Sequence, residues 1–188
     1  MAVVLLSAIR RYLGVAADVK PTTGVPAGSE FYEADSGATY LYDGAAWALK
    51  LDAGPYRASK SLAFTGAANL GAVGNVPLFT VTGEVLIVAF VPFCTVDLAG
   101  AGATLALGVT NATALFIAAT TATDIDLGEF WVDTTPDPNG VALPAALKDI
   151  AITDHIVGTV AVAAITAGTI RWDCYWIPLS SDGKVVAA

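Results

Sequence analysis

The residues best suited to chemistry are five carboxylates in the segment "ATDIDLGEFWVDTTPDPNG", namely Asp124, Asp126, Glu129, Asp133 and Asp137. Oxygen ligands at this density are the kind that Ca²⁺ binds. The calcium-loop pattern, with alternating Asp or Asn, a central Gly and a Glu at its last position, does not occur. Strand alternation places Asp124 and Asp126 on one face. The pattern therefore favours a solvated acidic edge or loop, with calcium binding as the alternative.

Enzymatic chemistry has little support elsewhere in the chain. A pair of carboxylates hydrolyses glycosides only at a suitable separation, which the sequence does not measure. The single histidine, His155, follows Asp154, but the Gly-x-Ser-x-Gly motif of a serine nucleophile does not occur. No glycine-rich nucleotide motif occurs either. We therefore expect a protein that is not an enzyme and has no cofactor; a cell-wall-degrading hydrolase is the least favoured alternative.

The two cysteines, Cys94 in "VPFCTV" and Cys174 in "RWDCYW", lie 80 positions apart in apolar, strand-like surroundings. Neither has a second cysteine or a histidine at metal-binding spacing. Buried thiols that act as small hydrophobic residues are the favoured interpretation. A disulfide between the two strands is the alternative.

Composition restricts the partners of the chain. It has 188 residues, of which 55% are hydrophobic and 14% charged, with a net charge of −8; soluble domains average roughly 25% charged residues. The acidic balance argues against nucleic-acid binding, which needs a basic face. The longest apolar run, Val85 to Cys94, is too short for a membrane helix. A partly apolar surface shared between subunits would explain the shortage of charge.

The N-terminal segment "MAVVLLSAIRRYLGVAA" predicts a short amphipathic helix within an arm of residues 1–20. A secretory signal is the alternative, but in such signals the positive charge precedes the apolar stretch, whereas Arg10 and Arg11 follow it here. The helix is a candidate anchor to another surface. Its anchor residues would be Leu5, Leu6, Ile9, Tyr12 and Leu13.

Residues 21–55 predict a small β module. Three short strands alternate with the turns "DSG" and "DG", whose glycines supply positive φ. Alternation places Phe31 and Tyr32 on opposite faces of their strand, and Tyr40 and Tyr42 on one face of the next strand. The favoured role for the aromatic residues is packing or subunit contact, and the alternative is carbohydrate stacking. The candidate residues are Phe31, Tyr32, Tyr40, Tyr42 and Trp47.

Residues 56–188 contain many short apolar segments separated by turn signals such as "AGAGA" and "TTPDPNG". This spacing is typical of an all-β sandwich, and we predict a jelly-roll-like antiparallel fold. Two predicted strands cover Glu84 to Pro92 and Gly128 to Val132. In "IRWDCYWIP", alternation predicts a core-facing and an outward row. The core-facing row is Trp172, Cys174 and Trp176; the outward row is Arg171, Asp173 and Tyr175.

The segment "PTTGVPAGSEFYEADSGATYLYDGAAW" follows the pattern Gly-x-x-Phe-Tyr-x-x-Asp-x-Gly-x-x-Tyr-x-Tyr-Asp-Gly-x-x-Trp. It resembles a hairpin module attached to head or tail proteins of tailed bacteriophages, over residues 21 to about 50. The resemblance implies a virion structural protein made in the bacterial host cytoplasm. We expect a homotrimer of the capsid-decoration or head-fibre type, bound to the major capsid protein or other virion proteins. The alternative is a tail or fibre module that binds a receptor or host-surface glycan.

Overall fold

The computed structural model describes residues 9–50 and 55–188, in which almost every regular element is a β-strand. The strands are β1 Arg11–Gly14, β2 Glu30–Glu33, β3 Thr39–Tyr42, β4 Trp47–Leu49, β5 Tyr56–Ala63, β6 Gly74–Thr82, β7 Val85–Ala99, β8 Thr104–Val109, β9 Ala112–Thr121, β10 Ile150–Ile152, β11 Ile156–Ala161, β12 Ala167–Pro178 and β13 Lys184–Ala187. Two 3-10 turns cover Ala122–Asp124 and Ala145–Leu147. The predicted all-β class is confirmed.

Strands β1 to β4 form one sheet in that order, which we call the N-terminal sheet. The predicted meander corresponds to β2, β3 and β4, which pair antiparallel. Its turns follow the expected chemistry: Gly37 and Gly44 have φ values of 72° and 105°. The carboxylate of Asp43 accepts the N–H groups of Ala45 and Ala46, each at 2.7 Å.

The predicted N-terminal helix is wrong for the part that the structure describes. Residues Arg11–Gly14 form β1, which pairs in parallel with β2 and sets Tyr12 opposite Phe31. A helix this short is marginal in isolation, and pairing with β2 supplies backbone partners that local propensity cannot. Ile9 precedes the strand without regular structure. The other two predicted anchor residues, Leu5 and Leu6, lie outside the described residues.

Strands β5 to β13 form two packed sheets, with the orders β10-β7-β12-β5 and β13-β6-β11-β8-β9. Strands β5 to β12 pair as one long hairpin: β5 with β12, β6 with β11, β7 with β10 and β8 with β9. Successive pairs alternate between the two sheets. This arrangement is the jelly-roll-like antiparallel sandwich that the strand pattern predicts; we call residues 55–188 the sandwich.

The core lies between the two sheets of the sandwich. The indole rings of Trp131, Trp172 and Trp176 are fully buried there. The ring of Phe90 lies 5.8 Å from those of Phe79 and Phe116, so the two sheets meet through aromatic contacts. The predicted core-facing position of Trp172 and Trp176 is thus confirmed.

Two strand predictions differ from the structure. The segment starting at Glu84 does not stop at Pro92, because β7 continues for 15 residues from Val85 to Ala99. Residues 128–132 do not form a strand; Phe130 makes only isolated bridges, to Phe93 and Asp137. Apolar content there reflects a loop that packs onto the sandwich, since Trp131 and Val132 are buried.

Candidate functional site

The inner face of the N-terminal sheet is an aromatic cluster. Phe31 and Tyr42 are each only 4% exposed. The ring of Trp47 lies 5.9 Å from those of Tyr12 and Phe31 and 5.1 Å from that of Tyr42. Ring pairs at these separations stabilise a small sheet beyond their buried area. These four rings therefore have a packing role, as the favoured sequence interpretation expects.

The aromatic cluster also holds the extended segment that precedes the sheet. The indole N–H of Trp47 donates to the carbonyl of Pro21 at 2.7 Å, and the hydroxyl of Tyr42 donates to the carbonyl of Thr22 at 3.1 Å. Buried Trp and Tyr side chains usually satisfy their polar atoms in this way. The polar atoms that a stacked sugar would use are thus already occupied.

Tyr32 lies apart from the other predicted aromatic residues. It is 45% exposed, next to the buried Phe31 and Glu33 on the same strand. Register pairs Phe31 with Tyr40 and Tyr32 with Thr39, so Tyr32 faces the opposite side from Tyr40. The carbohydrate-stacking alternative grouped residues that do not share a face.

A buried ionic cluster joins the N-terminal sheet to the sandwich. The carboxylate of Glu33 is 0% exposed and accepts hydrogen bonds from Lys20 at 2.6 Å, from Ser36 at 2.6 Å and from Lys184 at 2.9 Å. Lys184 belongs to β13 of the sandwich, whereas Lys20 precedes the N-terminal sheet. Burial alone would raise the pKa of Glu33, but the bonds from Lys184, Lys20 and Ser36 outweigh it and hold the pKa below its ordinary value.

Aromatic rings enclose this cluster. The Lys20 ammonium lies 4.1 Å from the ring centre of Tyr40 and 4.9 Å from that of Phe31. Burial, followed by the negative charge of Glu33, raises the pKa of Tyr40 well above its usual range. The tyrosine therefore stays neutral, and the cluster holds one carboxylate between two ammonium groups.

Sequence reasoning missed this cluster, although one signal was present. Alternation along "EFYE" puts Glu33 on the same face as Phe31. A charged residue on the apolar face of a strand is rarely buried without a partner. The lysines could not be found in the same way, because Lys184 lies 151 positions away.

The outer face of the sheet formed by β10, β7, β12 and β5 carries a second ionic cluster. Asp173 accepts hydrogen bonds from Arg57 at 2.6 Å, Ser59 at 2.7 Å and Arg171 at 2.9 Å. Burial raises its pKa, but the bonds from Ser59, Arg57 and Arg171 outweigh that effect and lower it overall. The predicted outward row with an ion pair between Arg171 and Asp173 is confirmed.

Apolar side chains surround that cluster. In register, Arg171 lies opposite Phe93, and Asp173 lies opposite Val91. The Arg171 guanidinium lies 5.2 Å from the ring centre of Phe93, which itself lies 4.9 Å from that of Phe130. Six half-buried apolar residues occupy this face of β7 and β12. They are Leu86, Val88, Val91, Phe93, Tyr175 and Ile177.

Both cysteines are buried free thiols. Cys94 pairs in register with Ile170, and Cys174 pairs with Phe90, so the thiols are four positions apart along neighbouring strands. That separation is too long for a disulfide. Burial raises the pKa of the Cys94 thiol to about 11, and it raises the pKa of Cys174 further. The disulfide alternative is therefore wrong.

His155 has a structural contact. Its Nδ1 accepts the backbone N–H of Val81 at 3.1 Å. Neighbouring Asp154 accepts from the side-chain amide of Asn111 at 2.8 Å, so the two residues do not pair with one another as in a catalytic triad. The imidazole is exposed, in agreement with its expected surface position.

The acidic stretch caps its own backbone. Glu129 accepts the N–H of Asp126 at 2.9 Å, and Asp133 accepts the N–H of Thr135 at 2.7 Å. No group of three or more His, Cys, Asp or Glu side chains that could hold a metal ion occurs in residues 9–50 and 55–188. The calcium alternative has no ligand set in this part of the chain.

Three open clefts were considered for catalysis. The first, of about 350 Å³, is lined by Glu84, Ile152 and Leu179 among others. The second, of about 430 Å³, lies between Trp47 and Ser180, and the third lies beside Asp35 and Lys184. None of the three linings contains the two carboxylates that glycoside hydrolysis needs.

The described residues include no helix long and apolar enough to span a membrane. No family model, curated protein or solved structure matches the chain.

Proposed function

We propose that this chain is a structural component of a tailed-phage virion, which binds the capsid surface as a decoration or head-fibre protein and assembles as a homotrimer. The resemblance of residues 21 to about 50 to phage hairpin modules motivates the class of particle. The mode of action is burial of apolar surface rather than catalysis.

The observation that carries the proposal is the outer face of the sheet β10-β7-β12-β5. An antiparallel sheet normally turns polar side chains to water on its solvent side. Here Val91 and Phe93 occupy that side together with Tyr175 and Ile177. An apolar sheet face with an ionic cluster at its centre resembles the core and fixed polar contacts of a subunit interface.

Charge usage supports the same role. Seven of the nine Lys and Arg side chains are held within the subunit, two each at Glu33, Glu30 and Asp173, while Lys60 donates to two backbone carbonyls. Few cations remain to solvate the surface. An obligate interface commonly buries about 2,000 Å² or more, which would reduce the surface that needs solvation.

Solution mass tests the proposal. Light scattering should give a trimer for the wild-type protein. Val91→Asp places a second carboxylate opposite Asp173 at the centre of the apolar face, so it should dissociate the trimer while circular dichroism stays unchanged. The matched control is Val162→Asp, because Val162 is 81% exposed away from this face.

A monomeric wild-type protein would refute the assembly mechanism. Immunogold electron microscopy of the virions would then test location separately: label on the head supports the decoration role, whereas label confined to the tail favours the tail-fibre alternative.

A further inference from the structure

The N-terminal sheet exposes an unusual share of the large apolar side chains. Residues 9–50 are 42 of the 176 described residues, yet they contain six of the 13 exposed large hydrophobic residues. The six are Ile9, Leu13, Val15, Val19, Tyr32 and Leu41. The remaining seven are distributed over 134 residues of the sandwich. An apolar concentration of this kind marks an interaction surface.

Three of these side chains share the outer face of the sheet. Leu13 on β1 is in register with Tyr32 on β2, and Leu41 on β3 pairs with Glu30, two positions before Tyr32. Leu13 is 74% exposed, Tyr32 45% and Leu41 40%. They form an apolar row that crosses three strands on the side opposite the aromatic cluster.

Strand β1 also has a free edge. The carbonyls of Arg10 and Gly14 accept N–H groups of Glu30 and Ala34, at 2.9 and 2.8 Å, so these positions face β2. Backbone groups alternate in direction along a strand. The N–H and C=O of Arg11 and Leu13 therefore point away from the sheet, and residues 9–50 and 55–188 provide no strand beside them.

The charge at this edge is opposite to that of the whole chain. Arg10 and Arg11 are both exposed, in a chain of net charge −8. Arg11 lies 3.3 Å from Glu30, and among the described residues no carboxylate lies within 4.0 Å of the Arg10 guanidinium. A segment that carries acidic residues next to apolar ones complements this edge.

We propose that the β1 edge and the row of Leu13, Tyr32 and Leu41 bind an extended segment of another virion protein, with alternating apolar residues and flanking carboxylates. This inference rests on the proposed function and identifies its anchor. The segment would add as a strand beside β1, hydrogen bond to Arg11 and Leu13, and cover the apolar row with its side chains. The Glu33 cluster would fix the orientation of the anchor relative to the sandwich.

A second copy fits the same edge less well. Antiparallel pairing of two β1 strands would bring two Arg10–Arg11 pairs together, and each copy contributes only Glu30 as a nearby carboxylate. Like charges near each other on paired strands are destabilising. The charge pattern therefore favours a different, acidic partner.

The test uses the full chain and a terminally blocked peptide of alternating valine and threonine, flanked by glutamates. Fluorescence anisotropy measures its dissociation constant. Leu13→Pro removes an edge N–H that does not face β2, and it should weaken binding by about tenfold or more. Leu13→Thr keeps that N–H and should weaken binding less. Leu127→Thr, at a 63% exposed leucine of the sandwich, should leave binding unchanged.

Charge is tested with the same peptide carrying lysines in place of the glutamates, which should bind more weakly, with a difference that shrinks at high salt. No binding to the wild-type protein, or equal binding to Leu13→Pro with unchanged near-ultraviolet circular dichroism, overturns the inference. Equal binding of the two peptides overturns the choice of an acidic partner.

Light scattering on the same samples separates this inference from the proposed function. A wild-type trimer that binds no peptide overturns the anchor but leaves the assembly role. A monomer that binds the peptide at Leu13 has the reverse meaning. If Leu13→Pro dissociates the wild-type oligomer, the edge is occupied by a second copy, and the proposed partner is wrong.

Discussion

In the sandwich the inward side of β12 carries Trp172, Cys174 and Trp176, whereas in the N-terminal sheet the inward side of β2 carries Phe31 and then a carboxylate, Glu33. Both regions follow strand alternation. The sandwich is large enough to bury its apolar residues between two sheets, but a four-stranded sheet of 42 residues is not. The smaller region relies on ring contacts and a buried ionic cluster, so single changes of charge should affect it most.

The largest expected effect is in the sandwich core. Trp172→Ala should lower the free energy of unfolding by about 3–5 kcal/mol, because the indole is fully buried against Phe90 and Trp131. Trp47→Ala in the N-terminal sheet should loosen that sheet and leave the main denaturation transition nearly unchanged. Chemical denaturation measures both. Equal losses in the main transition would mean that the two regions unfold as one unit.

The next effect concerns the cluster that joins the regions. Glu33→Gln leaves two buried lysines without a carboxylate, and removing one partner of a buried ion pair costs about 3–5 kcal/mol. We expect residues 9–50 to become sensitive to protease while the sandwich stays resistant. The matched control is Glu30→Gln, whose side chain is 28% exposed; an exposed pair contributes about 0–1 kcal/mol. Similar protease sensitivity in both variants would contradict the assigned role of Glu33.

Acid should separate the same two regions. The pKa of Glu33 is lower in the folded protein than its ordinary value of 4.5. The stabilisation it provides is therefore fully present above about pH 4.5 and is lost as the pH falls through the lower, folded value. Amide exchange in residues 9–50 should accelerate in that acidic window before exchange in the sandwich. In Glu33→Gln this pH dependence should disappear.

The smallest effect distinguishes two buried tryptophans of the sandwich. The indole N–H of Trp131 donates to the Thr120 hydroxyl at 3.0 Å, whereas that of Trp172 has no hydrogen-bond partner in the described residues. Trp131→Phe leaves a buried hydroxyl without its donor, so it should cost about 1 kcal/mol more than Trp172→Phe. Thermal melting measures the difference. A reversed order would show that packing, rather than the hydrogen bond, dominates at Trp131.

Local pattern predicted much of the fold. Turn glycines and alternation placed β2 and β3, and they identified the inward and outward rows of β12. They failed where long-range pairing overrides local preference: Arg11–Gly14 is apolar enough for a helix but forms a strand because β2 lies beside it. Residues 128–132 look like a strand but pack as a loop.

The amino-acid sequence by itself determined which side chains point together, because strand periodicity is a local property. It also determined the shortage of charge and the acidic balance. Only the tertiary structure decided the partners: Lys184 reaches Glu33 across 151 positions, and Arg57 reaches Asp173 across 116. Strand order between distant segments sets these contacts and the free edge of β1, and no local pattern encodes that order.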